Sequence, residues 1–182
     1  MADFSITTAS KLRPLGAPKP APEPGQPCWD LIELFFFAYR DFVGAPDEVL
    51  ERLGFGRAHH RVLHFVNRNP GMKVAELLDV LKITKQSLGR VLKQLIDEGY
   101  VVQKEGADRR QRLLYVSPPG EALALKLAGL QAVRIGRVLE ELGPEGRETA
   151  RRFLAGMIGD EAGVRVLRMI ARAERAHTNG RD

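Results

Sequence analysis

The sequence predicts a mainly α-helical fold that contains one small β-hairpin. Apolar residues recur at helical spacing through most of the chain after residue 27. Residues 74–98 read as a short helix, a tight turn and a second helix, and two β-prone runs enclose the arginine-rich residues 105–112. Together these patterns predict a winged helix-turn-helix lobe, in which the hairpin is the wing, with further helices on both sides.

Length and composition fit one globular domain. The chain has 182 residues, 44% of them hydrophobic, and a formal net charge of +5, which favours an anionic partner without identifying it. The single cysteine, Cys28, excludes an internal disulfide and fits a reducing compartment. There is no secretory signal pattern, and the longest apolar run, residues 34–39, is too short to span a bilayer. We therefore expect a soluble, cytoplasmic protein with no membrane partner.

Residues 1–27 read as a disordered, proline-rich arm. Six of the chain's eleven prolines lie between Pro14 and Pro27. Repeated proline removes backbone donors, and the segment has too few apolar side chains to offset the entropy lost on ordering. We interpret it as a tether; the alternative is a segment that contacts nucleic acid or a protein partner.

The remaining elements follow from apolar spacing, caps and turn residues. The predicted elements are helices at residues 28–43, 57–67, 74–81, 85–98, 118–142, 145–158 and 161–176, a helical turn at 47–53, and strands at 100–103 and 112–116. Thr84 is a good N-cap for the fourth helix, Gly99 suits its C-terminal end, and Ser117 precedes the helix that begins with two prolines. We expect one domain over residues 28–176, divided at 56 and 117, and a disordered tail at 177–182.

The first helix is apolar on more than one face. Leu31, Leu34 and Phe35 share one side, while Phe36, Phe37 and Tyr39 extend the apolar surface beyond it. Such a helix must be covered on most sides, either by the rest of its own chain or by a second subunit.

The helix at residues 85–98 has one apolar and one basic face. Its leucines and Val91 recur at steps of three and four, so the opposite face carries five other residues: Lys85, Gln86, Gly89, Arg90 and Lys93. Lysine and arginine pair with guanine edges, glutamine pairs with adenine, and glycine permits close approach. We also expect Thr84 and Ser87 to contact phosphates. The pattern therefore predicts binding in a DNA groove, and a merely solvated face is the alternative.

The loop between the two strands is the second basic feature. Arg109, Arg110 and Arg112 are predicted to project from the hairpin tip, where a guanidinium could enter a minor groove. Asp108 is an acid among these bases, and we expect it to orient one arginine through a bidentate pair. A flexible charged turn is the alternative interpretation.

These motifs resemble the MarR family of winged helix-turn-helix transcriptional regulators. The resemblance covers about residues 30–158 and rests on VAELLDVLKITKQSLGRVLKQLIDEGYV and, above all, on DRRQRLLYVSPPG. It implies a homodimer whose dimerisation helices are the N-terminal helix and the C-terminal helices, with two lobes on a pseudo-palindromic double-stranded DNA operator. By position, Arg110 resembles the family's wing-tip arginine and Asp108 the acid that orients it. The proline-rich arm and the helix after Gly159 depart from the family pattern.

Regulators of this family commonly respond to a small molecule, to thiol oxidation or to a metal. Cys28, at the edge of the first helix, and Tyr39 are the candidate effector or redox residues, with an inert cysteine as the alternative. Phe35, Phe36 and Phe37 could line a ligand pocket but equally suit a core or dimer contact. His59, His60 and His64 lack a nearby acid or cysteine at matching spacing, so no metal site and no cofactor are assigned.

Other function classes fit the sequence less well. A phosphate-binding glycine loop, a nucleophile elbow and a shielded carboxylate pair are all missing from the sequence, so we do not expect an enzyme. Aromatic stacking platforms for single-stranded RNA are missing from the motif. A winged-helix protein-interaction module is the main alternative, and it would not need unpaired cations at Lys85, Arg90 and Arg110. The operator, and whether the protein represses or activates, stay open.

Overall fold

A computed structural model describes Pro20 and residues 22–108 and 111–179 of the chain. In chain order, the elements of the described residues are α1 (Trp29–Glu51), α2 (Arg57–Arg68), β1 (Met72–Lys73), α3 (Val74–Leu81), α4 (Lys85–Asp97), β2 (Val101–Glu105), β3 (Arg112–Val116), α5 (Pro118–Leu142), α6 (Pro144–Gly156) and α7 (Asp160–Asn179). The predicted fold class is confirmed, because the chain is mainly helical with one small antiparallel sheet. Most of the predicted N-terminal arm lies outside the described residues.

The helix-turn-helix consists of α3, a tight turn and α4. α3 has the predicted bounds, and it ends because Lys82 adopts a left-handed backbone conformation with φ 51°. α4 begins after Thr84, whose hydroxyl oxygen accepts a hydrogen bond from the Ser87 backbone N–H at 3.1 Å, so the predicted N-cap is confirmed.

The sheet has three strands in the order β1-β3-β2, one more than the predicted hairpin. β2 and β3 pair along five residues each, from Val101 opposite Val116 to Glu105 opposite Arg112. β1 adds two residues to the other edge, with Met72 opposite Leu114. A strand of two residues is too short to show an alternating pattern, which is why the sequence did not predict it.

One hydrophobic core joins the end of α1, α2, α3, α4, the sheet and the first half of α5. The fully buried leucines are Leu50, Leu63, Leu77, Leu88, Leu95, Leu114 and Leu127. α5 begins so close to the backbone of Tyr100 that a Cβ at Gly120 would overlap the Tyr100 carbonyl oxygen. Ser117 caps α5 by accepting from Gly120 N at 3.2 Å and donates to the carbonyl of Gly99. We call residues 57–127 the lobe.

α1 is longer than predicted. The sequence indicated a helix at residues 28–43 and a separate helical turn at 47–53. The structure shows one helix through Pro46 to Glu51, so this prediction is wrong. Val43, Pro46 and Leu50 are all buried on one side of α1, and we attribute the tolerance of Pro46 to this packing.

The remaining helices leave large apolar side chains exposed. α6 has no buried residue, and α7 continues to Asn179, three residues beyond the predicted helix end. The outer apolar residues, as we call them, are Trp29, Leu34, Phe35, Phe36, Phe37, Val133, Ile135, Leu142, Phe153 and Leu154, all exposed. Within the described residues, none of the helices combines the length and the apolar character needed to cross a lipid bilayer.

Candidate nucleic-acid interface

α4 presents its polar face to solvent because its apolar face is in the core. Leu88, Val91, Leu92 and Leu95 are buried against the rest of the lobe. The opposite face exposes the residues that the sequence predicted there: Lys85, Gln86, Gly89, Arg90 and Lys93. At Gly89 an added Cβ would meet no atom within 4 Å, so packing within the chain does not require glycine there.

The cations of this face differ in their pairing. Lys93 forms an ion pair with Asp97 at 2.5 Å, one helical turn later, and both side chains are exposed. Lys85 and Arg90 make no ion pair within the part of the chain that the structure describes. An exposed pair contributes only about 0–1 kcal/mol, so Lys93 can exchange Asp97 for another anion at little cost.

The N-terminus of α4 combines a cap with hydroxyl groups at the surface. The Thr84 hydroxyl donates to Ser87 Oγ at 2.9 Å and accepts from the Ser87 backbone N–H. Ser87 Oγ therefore keeps its own O–H as a donor. The first backbone N–H groups of a helix and its dipole favour an anion at this end, so Ser87 lies where a phosphate could be held.

The wing differs from the predicted arrangement at Arg112. This residue lies in β3 opposite Glu105, in the last pair of the hairpin before the loop, and it pairs with that carboxylate at 2.9 Å. The loop is closed by backbone bonds from Gly106 N to Gln111 O and from Gln111 N to Asp108 O. Arg109 and Arg110 lie outside the described residues, and Asp108 is exposed in the loop beside them.

Lys104 is a cation of the wing that is not among the site residues predicted from the sequence. Its ammonium lies 4.9 Å from the centre of the Tyr115 ring, a cation–π contact across the hairpin. In β2 only Val101 is buried and the four residues after it are exposed, so Lys104 is open to solvent.

Side chains of α2 hold α4 and the turn in place. His59 Nδ1 accepts from Gly56 N at 3.0 Å, so its Nε2 carries the proton and donates to Gln94 Oε1 at 2.9 Å. Arg61 donates from Nη2 to the carbonyl of Leu81 at 2.9 Å, at the end of α3. The sequence offered no signal for these contacts, because the partners are far apart in the chain.

The three histidines do not converge. His59 is bonded to Gln94, His60 is buried, and His64 is exposed at the α2 surface. Burial lowers the pKa of His60, and the nearby Asp47 carboxylate offsets only part of this effect. Among the described residues, no group of three histidine, cysteine or carboxylate side chains is placed to hold a metal ion.

Cys28 precedes α1 and Tyr39 lies within it, and the two residues are far apart. Cys28 is the partly exposed residue immediately before α1, and Tyr39 is exposed, with the Arg57 guanidinium 5.9 Å from its ring centre. Three helical turns separate the two positions, which corresponds to about 16 Å along the axis. Their side chains therefore cannot hydrogen-bond to each other within one chain.

The chain is similar to known proteins both in sequence and in fold. Residues 53–111 match the model of the MarR family. Over 144 residues the chain is 43% identical to the HTH-type transcriptional regulator PetP of Rhodobacter capsulatus, covering 79% of this chain and 86% of that protein. The structure of Streptococcus pneumoniae FabT in complex with DNA aligns with a TM-score of 0.63 at 12% identity, over 71% of this chain and 93% of FabT. NadR in complex with 4-hydroxyphenylacetate aligns with a TM-score of 0.61 at 20% identity, over 76% and 97% of the two chains.

Proposed function

This chain belongs to the MarR family of DNA-binding transcriptional regulators, and from that premise we propose that it acts as a cytoplasmic homodimer on a pseudo-palindromic DNA site. A regulator of this family is not an enzyme. The observation that carries the proposal is the exposed face of α4, where Lys85 and Arg90 have no ion pair within the described residues. Two exposed cations without an acid partner among the described residues are suited to a polyanion.

In this proposal α4 enters the major groove. Lys85 and Arg90 donate to guanine edges, Gln86 pairs with adenine, and Gly89 lets the helix approach the bases. Lys93 joins them after it releases Asp97. The hydroxyls of Thr84 and Ser87 position the helix on phosphates and read no sequence.

The wing is proposed to contact the neighbouring minor groove. Arg109 and Arg110 are the proposed inserting residues, on the strength of their place in the loop sequence. Arg112, paired with Glu105 beside the loop, is proposed to hold the loop end of the two strands together, and it reaches a phosphate only by giving up that exposed pair. Asp108 keeps its proposed role of orienting a wing arginine.

The proposal of a homodimer is supported by the outer apolar residues. Phe36 is 69% exposed and Val133 is 76% exposed in the single chain, on two different helices. Exposed apolar surface of this extent is typical of an interface. A second copy with the same surfaces covers the exposed apolar side chains of both helices at once. The resulting dimer presents two α4 helices to half-sites about 34 Å apart.

A small-molecule signal is proposed to control DNA binding. NadR, which shares the fold, is seen with 4-hydroxyphenylacetate. A redox switch at Cys28 has less support, because Tyr39, its candidate partner, is too distant within the chain. The interaction-module alternative is not favoured, since it gives no role to the unpaired cations of α4.

The test is a DNA-binding titration followed by fluorescence anisotropy at several salt concentrations. Wild-type protein is titrated with DNA from upstream of its own gene and with a scrambled duplex. We expect tight binding to the native duplex that weakens steeply with salt. Arg90→Ala should weaken binding by about 1–3 kcal/mol, roughly 5- to 150-fold, and reduce the preference for the native sequence.

The matched control is Arg147→Ala, which removes an exposed arginine from α6, a helix that packs on α5 and α7. It should leave the affinity within about twofold of wild type, since it removes the same charge from a face without groove contacts. Equal losses in both variants, or equally weak binding to both duplexes at every salt concentration, would contradict base reading by α4.

A further inference from the structure

A groove of about 730 Å³ lies between α7 and the face formed by β1 and α3. We propose that this groove binds a small organic anion with an apolar body, such as an aromatic or aliphatic carboxylate, sulfonate or phosphate ester. The inference rests on the proposed control by a small molecule, and it gives that signal a place and a chemical class. The groove is separate from the exposed face of α4.

The two walls of the groove are fixed to each other. Met169 of α7 packs against the hydrophobic core of the lobe, and Ala173, one turn later, is buried. Arg165 of α7 also pairs with Asp79 of α3 at 3.4 Å. These contacts hold α7 beside the lobe, so the groove is part of the folded chain.

The acids in the groove are already engaged. The Glu76 carboxylate accepts a hydrogen bond from the Lys73 backbone N–H at 2.9 Å. Asp79 pairs with both Lys82 and Arg165, and the hydrogen bond from Lys82 in particular holds the pKa of this carboxyl below its usual value. Two carboxylates face five basic side chains in the lining, so the groove keeps a net positive charge of three.

Three cations line the groove without an ion pair in the described part of the chain: Lys73, Arg168 and Arg172. The two arginines are four residues apart on α7, one helical turn, so both face the same opening. Guanidinium groups bind carboxylate, sulfonate and phosphate oxygens through paired N–H donors. The charge of the groove therefore selects an anion.

The rest of the lining is apolar. Met72, Val80, Val166 and Met169 contribute side chains from β1, α3 and α7. The volume lies within the range of about 300–1,000 Å³ that is typical of small-molecule sites. A DNA backbone would present phosphates to a flat basic surface, whereas this groove offers an apolar lining below two guanidinium groups, which suits a compact amphipathic anion.

The test compares two fluorescent probes that differ in one charge. 8-Anilinonaphthalene-1-sulfonate carries the sulfonate, and N-phenyl-1-naphthylamine has the same rings without it. Both are titrated into wild type, into Arg168→Gln/Arg172→Gln, and into Arg147→Gln/Arg151→Gln, which removes two arginines at the same spacing from α6. Circular dichroism and light scattering establish that all three proteins have the same fold and mass.

We expect the sulfonate probe to bind wild type more tightly than the neutral probe. The α7 double variant should weaken the sulfonate probe by about tenfold or more, because charge-assisted hydrogen bonds are lost, while the α6 variant stays within about twofold. The affinity of the neutral probe should change little in either variant. Equal sulfonate binding by wild type and the α7 variant, or equal affinity of wild type for the two probes, would overturn the proposal.

DNA titrations of the same proteins without probe separate this inference from the proposed function. An α7 variant that binds the sulfonate probe like wild type but loses DNA affinity would overturn the ligand proposal and assign Arg168 and Arg172 to DNA phosphates. Wild-type protein that binds the sulfonate probe in the groove but does not bind DNA would contradict the proposed function and leave the groove assignment supported.

Discussion

The lobe differs from the outer helices, by which we mean α1, α6 and the part of α5 after residue 127, in how far its apolar residues are buried. In the lobe, leucines from four different elements, such as Leu63, Leu77, Leu88 and Leu114, are fully buried, and the exposed face of α4 is polar. On the outer helices, Phe36 and Val133 are mostly exposed, and α6 buries nothing. The described residues of one chain are therefore enough to bury the core of the lobe, whereas those of the outer helices leave apolar side chains exposed, where we propose that a second copy packs.

This difference separates two kinds of partner. A polar face with unpaired cations gains little from an apolar partner and is suited to the phosphates and base edges of DNA. Exposed phenylalanines gain nothing from DNA and are suited to another apolar surface. The same chain can therefore bind DNA through one region and a second copy of itself through the other without competition between the two.

The largest expected effect is on the proposed dimer interface. Phe36→Asp places a carboxylate in the proposed interface, where a buried charge without a partner costs about 3–5 kcal/mol. We expect the dimer dissociation constant, measured by sedimentation equilibrium, to rise strongly. Phe36→Leu keeps an apolar side chain and should remain dimeric. Circular dichroism should not change, since Phe36 is exposed within its own chain; an aspartate variant that stays dimeric would remove α1 from the interface.

A second prediction contrasts two leucines of the lobe. Leu63→Ala in α2 removes a fully buried side chain and should lower the free energy of unfolding by about 2–5 kcal/mol. Leu125→Ala in α5 removes an exposed one and should change it by about 0.5 kcal/mol or less. Urea denaturation at one protein concentration measures both. Similar losses in the two variants would mean that the core of the lobe is not organised as described.

The smallest expected effect concerns the cap of α4. Thr84→Ala removes the acceptor for the Ser87 backbone N–H and should lower the free energy of unfolding by about 1 kcal/mol. Thr84→Ser keeps a hydroxyl oxygen at the same position, and because serine is at least as good an N-cap as threonine, it should not lower the free energy of unfolding measurably. Thermal denaturation compares the two variants. A serine variant as unstable as the alanine variant would mean that the methyl group, and not the hydroxyl, accounts for the stability.

The helix-turn-helix could be predicted from the sequence because its signals are local. The spacing of Leu88, Val91, Leu92 and Leu95 determines which face of α4 is buried, and Thr84 marks its start. The exposure of the basic face follows from the same spacing. The family could be recognised because its two motifs, the helix-turn-helix and the wing with the start of the next helix, are each continuous in the sequence.

Features that depend on distant residues could not be predicted. The first helix was predicted to end at residue 43, because its continuation to Glu51 depends on the burial of Val43, Pro46 and Leu50 against other parts of the chain. The pairing of Arg112 with Glu105 depends on the register of β2 and β3, which no local pattern gives. The contact from His59 to Gln94 joins two helices that no local pattern connects.

The mass of the protein–DNA complex tests the central claim most directly. Light scattering on wild-type protein saturated with one native upstream duplex gives the number of chains per duplex. We predict the mass of the duplex plus two chains of 20.2 kDa each, with both lobes engaged and the outer helices joined. A complex that contains the duplex and a single chain would contradict the homodimer.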